Sequence, residues 1–357
     1  MSPVQGLVRL RKHQFGRQAD FGVKVNATRA YPFQGVPEVD LAWTDPEVDE
    51  GSLDPVSAPR REIPVLGASL SDPQVNYNSL PLMLSAFFGG DINPTGAGTA
   101  QTWAFTPEST TVDPMDTHTY EFGDDVLTDW YQLGDGILTD ITFTIPDGLG
   151  AVTSDQTWKF GSVSSTGSTD MPVDGTVPSP GLDVEKDPAL VYGKDLALYI
   201  ADSVAGLGAG QILDALHGGE IRLSREVDEK RYANGDQSFD VDAYATASRA
   251  IAFRFRFAKT SDTVGLLSES DKWMSDTAVT RVGRFTFTST ALAQVSGSIP
   301  YSWTITAPFR YYTREEDAIG GNTIIVLEGH AFFDPDDLDG VFDTTVVCTV
   351  TEPELGS

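Results

Sequence analysis

The sequence predicts an all-β protein. Alternation of apolar and polar residues with period two recurs along the chain, helical periodicity is scarce, and Gly, Pro, Asp and Ser break up short apolar runs. Alternation is what a half-buried strand requires, because successive side chains leave opposite faces of a sheet. With 357 residues, 40% of them hydrophobic, the chain can hold two ordinary domains or one large all-β domain and bury a real core.

Taken in order, residues 1–20 carry Arg9, Arg11, Lys12 and Arg17 and no continuous apolar run, so they read as neither a secretory signal nor a membrane span. Residues 62–70 read as extended. Residues 79–88 read as a helix, with Ser79 as N-cap, Pro81 in the first turn and Gly89-Gly90 as the stop. Residues 102–106 form a Trp-containing strand, and 139–145 place Ile141, Phe143 and Ile145 on one face. Trp158-Lys159-Phe160 is a shorter case. Residues 162–188 crowd Ser, Thr, Gly, Pro and Asp and read as an exposed connector.

Beyond it, 203–216 reads as a Gly-rich loop entering a short helix. Alternation returns at 239–242, 251–257, 284–288 and 301–306. A second helix is expected over 263–274, with Leu266, Leu267 and Trp273 as its apolar positions. The β-branched and aromatic runs 323–333 and 341–351, with Asp339-Gly340 between them, read as a closing hairpin with a long loop. The two halves echo each other faintly as extended segment, helix, strand, and Leu133-Gly134-Asp135-Gly136 echoes Leu216-His217-Gly218-Gly219, which suggests duplication. The division expected is 1–45 for an N-terminal arm and first strand, 46–161 for a first β domain, 162–188 for the linker and 189–357 for a second β domain.

The charge balance is unusual. Against 16 Arg and 8 Lys stand 36 Asp and 16 Glu, a net of −28. Such a surface repels nucleic-acid phosphates, which disfavours a DNA-reading role. The acid excess suits either plain solubility or life at molar salt, where screening over ~3 Å removes the self-repulsion. The single Cys348 forms no intrachain disulfide and fits a reducing compartment.

Chemistry-bearing motifs are scarce. His13, His118, His217 and His330 are scattered, and no Gly-x-Ser-x-Gly, His-Glu-x-x-His or phosphate-loop pattern occurs. Gly206, Gly208 and Gly210 lack a surrounding βαβ unit. With Gly340 as the sixth residue of a calcium loop, Pro335 and Val346 would take the first and twelfth positions, where oxygen donors are needed. Residues 334–340 therefore read as a solvated turn, and 45–50 as a hydrated loop. Carboxylate pairs such as Asp124-Asp125 and Glu315-Glu316 are too abundant to be diagnostic. Arg254 and Arg256, interleaved with Phe253, Phe255 and Phe257, are expected to pair with acids on neighbouring strands or subunits. No enzyme, cofactor or metal site is expected.

Residues 15–29, Phe-Gly-Arg-Gln-Ala-Asp-Phe-Gly-Val-Lys-Val-Asn-Ala-Thr-Arg, resemble the opening of major tail (tail-tube) proteins of long, non-contractile-tailed viruses. There an arm of Gly-x-x-x-x-Phe-Gly type and a small-residue stretch ending near Thr-Arg precede an acidic Gly-containing loop, matched here by 47–53. The order of helix 79–88, Trp103 strand, strand pair 131–145 and closing double strand 323–351 is also similar.

The resemblance implies two tail-tube-type β-sandwich domains, each with a flanking helix, contributing strands to an intersubunit β-barrel. It implies self-assembly into rings, trimers for a duplicated chain and hexamers otherwise, stacked into a tube. The tube would form in the host cytoplasm and reside in the virion tail of a siphovirus-like particle, and the acid excess would suit a halophilic archaeal host. Partners implied are tape measure, tail terminator and distal tail proteins, with DNA only in transit and no membrane. A lumen of Asp, Glu, Ser and Thr would keep DNA mobile by repulsion, and Asp140, Thr142, Thr144, Asp240 and Asp242 are its candidate lining. The alternatives are a decoration or fibre protein of a virion and a β-sandwich carbohydrate-active enzyme, which needs two carboxyls set ~5–10 Å apart across a cleft.

Overall fold

A computed structural model describes residues 11–40, 43–44, 60–61, 65–89, 94–96, 98–106, 115–124, 129–165, 182, 184–201, 203–208, 211–212, 216–232, 240–260, 263, 281–319, 321–331 and 342–351. The protein is all-β, with nineteen strands and one α-helix among the described residues. The first half holds β1 (Arg11–Arg17), β2 (Arg29–Tyr31), β3 (Gln34–Asp40), β4 (Trp43–Thr44), β5 (Arg60–Arg61) and β6 (Val65–Asp72). After helix α1 (Leu80–Phe88) come β7 (Gln101–Phe105), β8 (His118–Asp124), β9 (Asp129–Ile145), β10 (Thr153–Lys159) and β11 (Ser162–Ser165). The second half holds β12 (Leu196–Ala201), β13 (Gln211–Ile212), β14 (Leu216–Lys230) and β15 (Ala243–Ala258). It ends with β16 (Arg281–Gln294), β17 (Ile299–Ile319), β18 (Asn322–Ala331) and β19 (Asp343–Cys348).

Seventeen strands join one antiparallel hydrogen-bonded network, while β4 and β5 pair with each other. Three ladders compose it. The long sheet runs β3-β6-β10-β9-β14-β15-β18-β17. A second ladder runs β13-β12-β16-β17-β19-β7, and a third runs β2-β1-β8-β9-β11. Two long strands therefore serve in two ladders each. Residues 131–134 of β9 pair with β11, and residues 137–145 pair with β10. Residues 302–306 of β17 pair with β19, and residues from Phe309 onward pair with β18.

The change of ladder along β9 falls at Gly134-Asp135-Gly136. Asp135 has φ +57, a conformation that costs a non-glycine residue energy and needs support from its surroundings. At Gly136 a Cβ would lie 2.5 Å from the Phe160 ring and 2.8 Å from the His118 carbonyl, so only glycine fits. These residues lie inside the strand, not before it as the sequence pattern suggests.

One buried cluster draws on both halves of the chain. The apolar faces of the long sheet and the second ladder meet where Phe143 packs on Trp303 at 4.9 Å and Phe253 on Phe285 at 5.0 Å. Phe15 and Tyr120 bring the third ladder to the same core, where Phe15 packs on Trp158 of the long sheet. Each fully buried indole finds a partner for its N–H: Trp103 donates to the Val350 carbonyl, Trp158 to Gln156 Oε1 and Trp303 to Thr344 Oγ1, each at 3.0 Å. Burying side chains of this size contributes roughly 1.5–3 kcal/mol each.

Helix α1 forms as the residues predict. Ser79 occupies the N-cap position, Pro81 lies in the first turn, and Gly89 takes φ +69 at the end. All nine helical residues are buried. Arg225 of β14 ties the helix to the second half, donating to the Ala86 carbonyl at 2.7 Å and the Leu138 carbonyl at 2.9 Å, with its guanidinium 5.6 Å from the Phe87 ring.

Three readings of the pattern need correction. The closing hairpin is not formed, because β17 lies between β18 and β19 and pairs with both. Residues 240–242 form no strand. Segment 203–216 contains a 3₁₀ turn, Val204–Gly206, and the two-residue β13 in place of an α-helix among its described residues. The second helix beyond Thr263, the acidic segments 45–50, 47–53 and 334–340, and the connector's centre at 166–181 lie outside the described residues.

The connector's described ends are held in place. Ser162 is buried, and Glu185 accepts from Arg29 Nη2 at 3.0 Å and from Asn78 Nδ2 at 2.9 Å. Just beyond it, Val191 bonds to Val75 at 2.9 Å and to Val152 at 2.8 Å, sewing this stretch between two loops of the first half.

Candidate interaction face

The outward face of the long sheet follows from alternation. In β9, Ile141, Phe143 and Ile145 point into the core, so Asp140, Thr142 and Thr144 point out, each half-buried. Register extends that row across the sheet. Thr144, Thr142 and Asp140 face Thr153, Asp155 and Thr157 of β10 on one side and Glu220, Arg222 and Ser224 of β14 on the other. β14 then sets Glu220 opposite Arg254, and β15 sets Arg254 opposite Glu328. On the other flank, β6 brings Ser69 and Ser71 beside Thr157 and Asp155.

Ion pairs lace this face. Arg222 Nη2 lies 2.6 Å and Nε 3.0 Å from Asp140 Oδ2, and that carboxylate holds the guanidinium pKa above its ordinary value. Arg254 Nε is 2.9 Å from Glu328 Oε1, and Arg256 Nη2 is 3.8 Å from Glu220 Oε1. The expectation that Arg254 and Arg256 pair with acids on neighbouring strands therefore holds. Such exposed pairs stabilise by roughly 0.2–1 kcal/mol each. Between β10 and β18 the rows beside Asp140 set Arg222, Arg254 and Arg256 among Asp155, Asp140, Glu220 and Glu328, while further along Glu226 is exposed on β14 and Lys159 lies 3.8 Å from Glu229. Cations and acids are interleaved on this face, in a chain whose net is −28.

Asp240 and Asp242 do not join this row. Asp240 is exposed in a bend, and Asp242 accepts from the Tyr232 amide while its own amide donates to the Lys230 carbonyl at 2.9 Å. Lys230 pairs with Ala243, six positions along β14 from Ser224 beside Asp140, or roughly 20 Å at strand rise. Alternation within Glu220-Ile221-Arg222-Leu223-Ser224 was the signal for the missed members of the face.

No protein-family model and no curated protein matches this chain. What it can do chemically is therefore read from its own side chains. Among the described residues no group of three or more His, Cys, Asp or Glu is placed to hold a metal ion. The four histidines stay apart. His13 Nδ1 lies 2.8 Å from the Tyr120 hydroxyl, His217 Nδ1 lies 3.3 Å from Asp147, and His330 is exposed on β18. His118 is fully buried, and burial pushes its pKa down to about 3. No helix of the described residues is long and apolar enough to cross a membrane.

Two further polar centres lie under the surface. Asp135 is buried, and its Oδ1 accepts from the Gly22 amide at 2.7 Å and Gln18 Nε2 at 3.3 Å, while Oδ2 accepts from Ser162 at 3.1 Å. Its carbonyl accepts from the Tyr244 hydroxyl at 2.9 Å. This hub supports the strained backbone and fastens residues 18–22 to the bend of β9. In the third ladder, register aligns Gln14, Glu121 and Gln132 in one row, with Gln132 Nε2 donating to Glu121 Oε1 at 3.2 Å. Burial pushes the Glu121 carboxyl up to about 7, opposed by donation from the Ala27 amide and Gln132.

Proposed function

We propose that this protein is a structural subunit that assembles with copies of itself, as the tail-tube subunit of a long-tailed virus. One observation carries the reading: an eight-stranded antiparallel sheet, apolar on one face and polar on the other, ends on both sides in strands with an open edge. Among the described residues, β3 pairs with β6 alone, and residues 310–319 of β17 pair with β18 alone. Open edges present unpaired N–H and C=O groups that recruit another strand, and closure into a barrel across copies removes them. Head-to-tail joining of unlike edges generates a ring.

β3 carries Glu38 and Asp40, and residues 310–319 of β17 carry Glu315, Glu316 and Asp317 against Arg310 and Arg314. Each edge is thus net acidic in a chain of −28, and copies repel at low salt and approach at molar salt. In the ring, Asp140, Thr142 and Thr144 face the conduit for DNA, and tape-measure, terminator and distal tail proteins meet the tube ends. Two copies of one domain per chain would give trimers, and a single repeat would give hexamers. The test is negative-stain microscopy of the purified chain at ~0.15 M and ~2 M salt, a range over which screening shortens from ~8 Å to under ~3 Å. Rings or tubes that grow with salt are expected. Monodisperse single copies at both salts would end the proposal.

A further inference from the structure

We infer that the tip of the β16–β17 hairpin, together with Thr99 and Ala100 of the turn packed beside it, is a second surface by which one copy of this chain binds another, distinct from the open sheet edges. The sequence marks it first. Residues 285–309 contain no Asp, Glu, Lys or Arg, and neither do residues 92–107, in a chain of which 21% is charged and whose net is −28.

The fold then brings these two stretches together, although nearly two hundred positions separate them. Thr99 Oγ1 donates to the Ala293 carbonyl at 2.8 Å, and the Ala100 amide donates to Gln294 Oε1 at 3.4 Å. The turn itself is closed by reciprocal bonds between Thr95 and Thr102 at 2.9 and 2.7 Å. The hairpin is closed by Ser298 donating to the Val295 carbonyl at 3.2 Å, with Gly297 and Ser298 at φ +90 and +53.

This ordered tip displays aliphatic side chains to solvent. Val295 is 82% exposed, Leu292 40% and Ile299 37%, three large apolar residues within eight positions of one hairpin. Single exposed hydrophobes are ordinary, but a cluster of them on a hydrogen-bonded tip marks a contact surface. The sheet register also loosens here, with irregularities between Thr288 and Leu292 and between Leu292 and Gln294, which turns the tip out of regular pairing.

Charge selects the partner. Two copies at −28 each repel, so they meet at least cost where neither carries a carboxylate. The longest charge-free run of the sequence outside any helix supplies that place, and its side chains gain by leaving water against a like surface. A lipid bilayer fits less well. Residues 289–300 hold no Trp, Tyr or Phe, the side chains that anchor proteins at a membrane interface. The nearest aromatic, Tyr301, packs against Tyr77 with ring centroids 5.7 Å apart.

The test uses the full chain and the variants Val295→Asp and Leu292→Asp, with Leu149→Asp as control. Leu149 is 78% exposed on a different loop. Sedimentation velocity at ~0.15 M and ~2 M salt is run beside negative-stain microscopy and flotation with phosphatidylcholine–phosphatidylglycerol vesicles. Parent and Leu149→Asp are expected to associate more strongly at high salt, and both tip variants to associate about tenfold or more weakly, with unchanged circular dichroism and melting.

In the microscope, tip variants that form rings that fail to stack support the inference. Parent protein that forms tip-dependent pairs but no rings supports it too, while overturning the tail-tube reading. Rings and tubes unchanged in both tip variants overturn the inference and leave the tail-tube reading standing. Parent protein that stays single at both salts, or that binds vesicles through the tip without self-associating, also overturns it.

Discussion

Replacing Glu121 by Gln should make the protein more stable at pH 8 and leave it nearly unchanged at pH 4.5. Glu121 sits fully buried on β8 between Gln14 and Gln132, and its Oε2 has no hydrogen-bond partner among the described residues. Burial raises its pKa from 4.5 to about 7, so in that window the folded state binds a proton that the unfolded state has released. Stability from this group is thus complete below pH 4.5 and is lost as pH rises through about 7. The interval corresponds to about 3 kcal/mol.

Asp72, also buried, is pushed up to about 6 and adds a loss of the same sign that is complete at lower pH. The −28 net charge adds a third, because self-repulsion also grows with pH. The measurement is therefore the difference between Glu121→Gln and parent, by urea denaturation at pH 4.5, 6 and 8. Repeating it at ~1 M salt separates the terms, since screening weakens repulsion between surface charges but not the desolvation of a buried carboxylate. The variant should gain up to about 3 kcal/mol relative to parent between pH 4.5 and 8, at either salt. A difference that is the same at all three pH values would show that the carboxyl is not held protonated by burial.

Arg225→Ala strands two buried carbonyls, Ala86 and Leu138, and should destabilise by about 3 kcal/mol in chemical denaturation, whereas an exposed change such as Arg222→Ala should cost under ~1 kcal/mol. Asp135→Ala removes the acceptor for Gly22, Gln18 and Ser162 while keeping a backbone at φ +57, and should destabilise by about 2–4 kcal/mol. Limited proteolysis should then cut first near residues 18–23, and Asp135→Asn should recover part of the loss.

Local features were the legible ones. Helix α1 could be read because Pro81 and Gly89 each act within one turn of chain, although Ser79 at the N-cap position turns its hydroxyl back to the Asn76 carbonyl and not to the helix. The strands at 139–145, 251–257 and 301–306 could be read because burial of one face writes period two into the sequence. Partner choice was not legible. Residues 323–333 and 341–351 read as a hairpin because β-branched runs announce strands without naming neighbours, yet β17 separates them.

The continuation of β17 was hidden as well, since Arg314, Glu315, Glu316 and Asp317 look like a loop when taken alone. The burial of Glu121 could not be read either. Alternation in β8 puts it opposite Tyr120 and Phe122 and so toward water, but the Ala27 amide and the Leu182 amide, which donates to Gln14 at 3.2 Å, bring other segments over that row. Asp240 and Asp242 were grouped with Asp140 on acidity and spacing, and only register shows them some six positions away along the hairpin.

Ion pairing on the long sheet changes how a DNA conduit would have to work. The sequence suggests a wall that repels phosphate by its carboxylates, yet the row around Asp140 sets guanidiniums between its acids. Its guanidiniums are already engaged: Arg222 by Asp140 at 2.6 Å, Arg254 by Glu328 at 2.9 Å, Arg256 by Glu220 at 3.8 Å. For a phosphate to capture one, it must compete with a carboxylate held in place by the sheet register, and it gains little from the exchange. Ser69, Ser71, Thr142, Thr144, Thr153 and Thr157 offer phosphate only neutral, exchangeable hydrogen bonds. If this face lines the proposed tube, the chain slides because every strong site is occupied in advance. Asp140→Asn and Glu328→Asn, which free Arg222 and Arg254, should then retard DNA more than removal of any unpaired surface acid.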